Sequence, residues 1–402
     1  MTSILVWWRR SSAPLLAPFF IAVFAVGAFT RDGWQYEWLW GMRAVVIIAV
    51  LVSPVVGGMV AFDTALSWDS VLTQLGPTLP RRLAATLLPA TVYVMTAFMS
   101  VCVVWVVVAV RLSINHALWQ ADPLLPVEVF SAFAAAAGVG LALGARMRSL
   151  AAAPLTAVLI FGLQALAAPY GLITLFAPMG LVGSAVGLER DPAAAGFAIA
   201  MNAGLALWCF TIALVPSTRM RREGRIVTAK LALTAIPFLI ALVWQQHVKP
   251  LDFKIASTQS ICVTDREVRV CGPDGTKSVL NDLAAAMVDA RARLAASGLD
   301  LPQDFVWGVP GVPPSTAAGP TYAFVSPAQL KNGQREAASA DVLSLPRVCP
   351  QLMEPGPDTP RLADAKERLR VWIFQALSSG DAATLPQIRA DYQALSNCHV
   401  VD

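Results

Sequence analysis

Charge is scarce in this sequence. Only 14% of its residues are Asp, Glu, Lys or Arg, while 56% are hydrophobic; in a soluble domain about a quarter are charged. An ordinary water-soluble protein is therefore excluded. The net charge of +4 is small, and the arginines sit mainly in short segments between apolar runs, which argues against nucleic-acid binding. Histidine is rarer still, with three in 402 residues. No H-E-x-x-H is present for a zinc peptidase and no G-x-S-x-G for a serine hydrolase. The stretch Gly272–Ser278 has the wrong spacing for a P-loop. With no catalytic motif left, the chain is read as a non-enzyme without cofactor or metal. Ionisable residues are also missing from the interior of the first six apolar runs, where they would mark an ion pathway or a proton relay. The borderline case is Glu128, expected to be a solvated residue at a helix start.

Apolar runs of bilayer length are what the sequence has in quantity. About 17–25 such residues cross the hydrocarbon core, and seven candidates fit: Ala13–Thr30, Ala44–Phe62, Leu83–Val110, Val127–Ala145, Leu150–Ala168, Ala193–Val215 and Ile226–Trp244. The third is long enough to tilt or to extend past the lipid. Arg9 and Arg10 ahead of the first, with Val26-Gly27-Ala28 inside it, imitate a cleavable signal, but the spans that follow argue against removal. The expected fold is mostly α. Residues 1–225 form a six-span membrane bundle with an N-terminal interfacial helix, 226–246 a seventh span, and 247–402 a small α+β domain.

Orientation is read from Lys and Arg, which favour the cytoplasmic side. With the N-terminus inside, cytoplasmic segments hold Arg9, Arg10, Arg81, Arg82, Arg146, Arg148, Arg219, Arg221, Arg222, Arg225 and Lys230. The opposite loops hold Arg31, Arg43, Arg111 and Arg190. Seven crossings then put the C-terminal domain on the extracytoplasmic face of the cell membrane. Cysteine usage agrees. Cys102 and Cys209 lie within spans as small packing residues, whereas Cys262, Cys271, Cys349 and Cys398 all fall in that domain. An even number in an oxidising compartment points to disulfides. Two strands about a turn at Arg266-Glu267 set Cys262 opposite Cys271 at a non-hydrogen-bonded position, with Cα atoms about 4.5–5.5 Å apart and within bridging range. Cys349 and Cys398 pair by elimination. A four-cysteine zinc site is the rival, but it lacks the usual C-x₂₋₄-C spacing.

The rest of this domain reads as helices and short strands. Ser278–Ser297 is amphipathic, with Leu280, Leu283, Met287, Ala290 and Leu294 on one face and Gly298 as its stop. Phe305–Val309 and Tyr322–Ser326 are strand candidates. Thr359-Pro360 starts a second helix that runs to about Ser378, and Leu385–Ser396 forms a third. Lys331–Ala340 is expected to be an exposed loop. Two roles stay open for the domain: a binding, lid or docking module, or a structural cap.

Three features of the membrane part go beyond a generic bundle. Met1–Arg10 mixes Trp7 and Trp8 with arginines and suits the interface, as Trp34, Tyr36, Trp38 and Trp40 suit the opposite one. In the loop Asp63–Arg82, Trp68, Val71, Leu72 and Leu75 line one side of a short helix, which either lies on lipid or docks a cytoplasmic partner. Tyr170–Leu188 is apolar but broken by Gly171, Pro178, Gly180, Gly183 and Gly187, which suits a hairpin that dips back into the bundle shielded from lipid.

This combination resembles the ABC-2-type transporter permease architecture over about Met1–Val215. There an interfacial helix precedes six spans, a coupling helix follows the second, and a re-entrant hairpin joins the fifth to the sixth. The seventh span and the C-terminal extracytoplasmic domain depart from that pattern. The resemblance implies a membrane subunit of an exporter, partnered by a cytoplasmic ABC ATPase and working as a homodimer or with a second permease subunit. Trp68, Val71, Leu72 and Leu75 then form the ATPase-docking helix, and Pro178, Gly180, Gly183 and Gly187 the hairpin. A charge-poor bundle favours an apolar or amphipathic cargo. The alternative is a non-transporting receptor or assembly factor whose outer domain binds a ligand. A shared fold does not by itself establish transport.

Overall fold

The computed structural model describes residues 11–30, 34–74, 79–115, 117, 122–167, 176, 188–214, 253–255, 260–273, 276–307, 321–323, 325, 329–330, 334–346, 359–380 and 386–398. Side chains are described for all of these except 67–74, 79–86, 166–167, 254–255, 260, 273, 322 and 359. Met1–Arg10, the span Ile226–Trp244, Cys349, Leu75, Pro178, Gly180, Gly183 and Gly187 lie outside the described residues, as do the side chains of Trp68, Val71 and Leu72.

Helices occupy the first six expected span positions: α1 (Ala13–Phe29), α2 (Trp38–Val46) with α3 (Ala49–Gln74), α4 (Leu79–Ile114), α5 (Leu125–Met147), α6 (Ala152–Ala167) and α7 (Pro192–Leu214). Among the described residues four stretches are long and apolar enough to cross a membrane: Trp38–Leu66, Leu87–Ile114, Leu125–Met147 and Pro192–Leu214. α1 and α6 are shorter, at 17 and 16 residues. The expected loop Asp63–Arg82 is mostly absent. Helix α3 runs on through Trp68 to Gln74, and α4 has already begun at Leu79. Sequence from Asp63 to Gln74 contains neither Gly nor Pro to stop a helix, so the amphipathic stretch is the end of α3 instead of a separate element.

Helix α5 is central and touches α3, α4, α6 and α7. Small residues make that placement work, because van der Waals packing takes over where no hydrophobic effect drives helices together. A Cβ at Gly140 would overlap the Gly57 carbonyl oxygen of α3, and one at Gly144 would come 2.5 Å from the Ala61 oxygen. Gly58 brings α3 close to α6, where an added Cβ would lie 3.2 Å from the Ala153 oxygen. Bulky side chains of α4 such as Val103, Val106 and Val107, and Val158 and Phe161 of α6, stay exposed and form the apolar exterior. Trp34 and Trp40, expected as interfacial anchors, are instead buried at 3% and 6% exposure. They pack with α2 into the core because this short helix lies within the bundle.

The C-terminal domain is α+β, as expected. Its sheet runs β3 (Ser260–Asp265), β4 (Val268–Pro273), β5 (Asp304–Trp307), β6 (Thr321–Ala323). The β3–β4 hairpin is antiparallel and pairs Cys262 with Cys271, while β5 and β6 add in parallel. A parallel neighbour needs a long crossover, and α8 (Lys277–Leu294) supplies it between β4 and β5. One face of α8 covers the sheet. Against it pack α9 (Arg335–Leu343) and α10 (Thr359–Ser379), and α11 (Pro386–Asn397) packs on α10. The expected apolar face of α8 is buried throughout, and Gly298 at φ 67° ends the turn that follows it. The expected loop Lys331–Ala340 is corrected: from Arg335 it is helical, with Ala338, Ala340, Val342 and Leu343 buried. Alanine's small side chain lets this helix lie close against its neighbours.

One further pairing joins the two parts of the chain. Leu188–Arg190 (β1), just before α7, pairs antiparallel with Phe253–Ile255 (β2), with Glu189 opposite Lys254 and Arg190 opposite Phe253.

Candidate functional site: a buried arginine–carboxylate network

The β1–β2 ribbon sits over four buried charges. Arg43 comes from α2, Asp122 from the turn just before α5, Glu128 from the first turn of α5, and Arg190 from the end of β1. Their side chains are 0%, 4%, 1% and 3% exposed, respectively. Arg43 Nε donates to Asp122 Oδ2 at 2.7 Å and Nη2 to Glu128 Oε2 at 3.0 Å. Arg190 donates to the other Glu128 oxygen, from Nη2 at 2.8 Å and from Nε at 3.2 Å. Glu128 therefore bridges two arginines, one per oxygen. Two positive and two negative groups balance, which is the condition for keeping charge out of water. The N-terminus of α5 adds its partial positive charge beside both carboxylates.

Phe253 completes the arrangement. Its ring lies 5.3 Å from the Arg43 guanidinium carbon and 5.5 Å from that of Arg190. It also packs on the apolar core of the bundle. Each such cation–π contact stabilises by about 0.5–2 kcal/mol, depending on desolvation. Breaking a buried ion pair by removing one partner costs more, about 3–5 kcal/mol. Both carboxylates are turned to arginines, and among the described residues no group of three His, Cys, Asp or Glu side chains converges as metal ligands would.

This network corrects the reading of Glu128 as a solvated helix-start residue. It is 2% exposed and fully engaged. Arg43 and Arg190, read only as minority charges in loops, are members of the same cluster. A signal for it was present: Arg43 lies inside the apolar stretch Trp38–Leu66, where an unpaired charge is costly and a partner is required.

Polar contacts elsewhere tie the bundle together. At the opposite end, Ser12 Oγ and Tyr93 Oη are 2.6 Å apart, and Tyr93 Oη donates to Asp63 Oδ2 at 2.6 Å. The phenol proton goes to the carboxylate, so the serine hydroxyl is the donor to Tyr93. Arg146 Nη2 donates to the Ile212 carbonyl at 2.7 Å, serving an orphan acceptor at the C-terminus of α7. Between the ends lies Phe176, fully buried and in left-handed backbone at φ 62°. Its N–H donates to Asn202 Oδ1 of α7 at 3.0 Å, and its carbonyl accepts from Ser53 Oγ of α3 at 2.5 Å. Non-helical backbone inside a membrane bundle needs such side-chain partners.

In the C-terminal domain Cys262 and Cys271 are bonded, with Cα atoms 4.0 Å apart. The two-residue turn places Arg266 at φ 52°, the left-handed conformation that tight hairpins demand. Cys398 is also disulfide-bonded. Arg368 grips Asp391 with two hydrogen bonds of 2.9 and 2.8 Å, which raises the arginine's pKa. Burial, reinforced by Asp300, pushes the Tyr392 phenol up to about 12. The Arg368–Asp391 pair joins α10 to α11, and the disulfide Cys262–Cys271 staples the β3–β4 hairpin. Comparison with known protein families, with curated proteins and with solved structures finds no match to this chain.

Proposed function

We propose that the chain is the membrane subunit of an ABC-type exporter, moving an apolar or amphipathic cargo with a separate cytoplasmic ATPase. The observation that carries this reading is Phe176. It lies in the interrupted stretch Tyr170–Leu188, is buried, and is held in non-helical backbone by Ser53 and Asn202, as a re-entrant hairpin between the fifth and sixth spans requires. The order of the helices and the apolar exterior of α4 and α6 support it as well. The reading has the N-terminus in the cytoplasm and the C-terminal domain outside. The β1–β2 pair supports an odd number of further crossings, with no bearing on which side is the cytoplasm: the chain leaves α7 at Leu214 and is back beside the start of that helix at Phe253. Twenty-three helical residues cover about 34 Å, so the return passes a bilayer thickness, for which Ile226–Trp244 has the length. Cys398 then pairs with Cys349 in an oxidising compartment.

Affinity purification of the full chain in mild detergent tests the proposal. An ATPase should co-purify, and Trp68→Ala with Leu72→Ala should detach it, since large anchors commonly contribute about 2 kcal/mol or more. A bound and fully stimulated ATPase in the double variant would remove the docking assignment, and no ATPase at all would remove the exporter. The second reading, a receptor or assembly factor, draws on the direct attachment of the C-terminal domain to the bundle through Phe253.

A further inference from the structure

We propose that Phe253 is a releasable latch that holds the C-terminal domain to the bundle. Three observations converge on it. The ring is the side chain of β2 that reaches both guanidinium groups, and it is only half-buried. Among the described residues the ribbon it belongs to has three residue pairs, and so short a two-stranded ribbon is marginal without added contacts. The arginines do not depend on the ring for charge balance: Arg43 keeps Asp122 and Glu128, and Arg190 keeps Glu128. Departure of Phe253 therefore leaves no buried charge unpaired. The joint has two tiers, an ionic base that is expensive to break and an aromatic contact that is weak and non-covalent. When strain acts on the joint, the aromatic tier gives first.

Such a latch couples the position of the domain to the end of the bundle formed by α2, α5 and β1. Its occupant is this chain's own ring, and its chemistry is the face of an aromatic between two planar cations. The proposal is independent of what the bundle carries, and its readouts need no ATPase.

The test uses the full chain in membranes, with Cys102→Ala and Cys209→Ala to remove the free thiols, and with Glu189→Cys and Lys254→Cys at directly opposed positions. A protease site at Arg222 lets an intrachain bridge be read as a fragment that stays joined. Mild oxidation should close this bridge in the parent. Phe253→Leu should slow closure about fivefold or more, the loss expected from two aromatic contacts, whereas Phe253→Trp should retain the parental rate. Mass spectrometry of the same samples should still find Cys262 bonded to Cys271, showing that the domain is folded. Equal rates for the parent and Phe253→Leu, or no bridge in the parent, would overturn the latch. Releasability is read separately, by hydrogen exchange of the parental chain in nanodiscs. Amides of Phe253–Ile255 should exchange far faster than those of Ala135–Leu141 in α5. Equal protection would mean a permanent joint and would overturn release.

Discussion

Glu128 joins two arginines from distant parts of the chain, because each of its oxygens serves a different one. Arg43 also has a second carboxylate in Asp122. Glu128→Leu should therefore destabilise the protein by about 3–5 kcal/mol. Glu128→Leu combined with Arg190→Leu should cost clearly less than the sum of the two single changes, because the stranded charge leaves with its partner. Thermal unfolding of the four proteins in one detergent reads the cycle. Additive losses would mean that the pair is not coupled.

At the scale of the elements, the contact of α3 with α5 depends on backbone approaching backbone. Gly140→Ala forces a methyl group into the Gly57 carbonyl, and neither backbone can yield without separating the helices. Overpacking of this kind costs about 1–3 kcal/mol or more. Gly196→Ala on α7 is the contrasting change, since nothing lies within 4 Å of the added Cβ. There alanine should be neutral or stabilising by up to about 1 kcal/mol, because it limits the unfolded chain and favours helix. Melting temperatures should move in opposite directions, or at least separate by several degrees. A shared small shift would show that the α3–α5 interface is looser than its geometry requires.

For the whole molecule, the decisive quantity is which side of the membrane each part faces. The exporter and receptor readings both put Asn332 outside and Ser217 inside. Cysteines introduced one at a time at these positions should label differently in intact cells, with only Asn332→Cys reached by an impermeant thiol reagent. Equal labelling, or labelling of Ser217→Cys alone, would remove the seven-crossing arrangement and with it the oxidising environment proposed for Cys349 and Cys398.

Much of this architecture was legible in the residues alone, for reasons local to the chain. Apolar runs of bilayer length mark helices because no other open-chain structure satisfies its backbone in lipid. A two-residue turn sets strand register, so Cys262 opposite Cys271 follows from counting positions. The face Leu280, Leu283, Met287, Ala290 and Leu294 repeats at helical spacing and is buried accordingly. What the sequence could not decide involves distant partners. Glu128 reads as solvated until Arg43 and Arg190, 85 and 62 positions away, are brought to its two oxygens. Lys331–Ala340 reads as a loop until α8 and α10 supply the surface that its alanines cover. Phe253 carries no signal in the sequence, and only its pairing with β1 sets it beside two guanidinium groups. Local pattern determined most of the helices and the β3–β4 hairpin, because those choices depend mainly on neighbours a few residues apart. Tertiary structure alone decided which charges neutralise one another and where the C-terminal domain attaches, because the energy of a buried ion pair belongs to neither residue until both have left water.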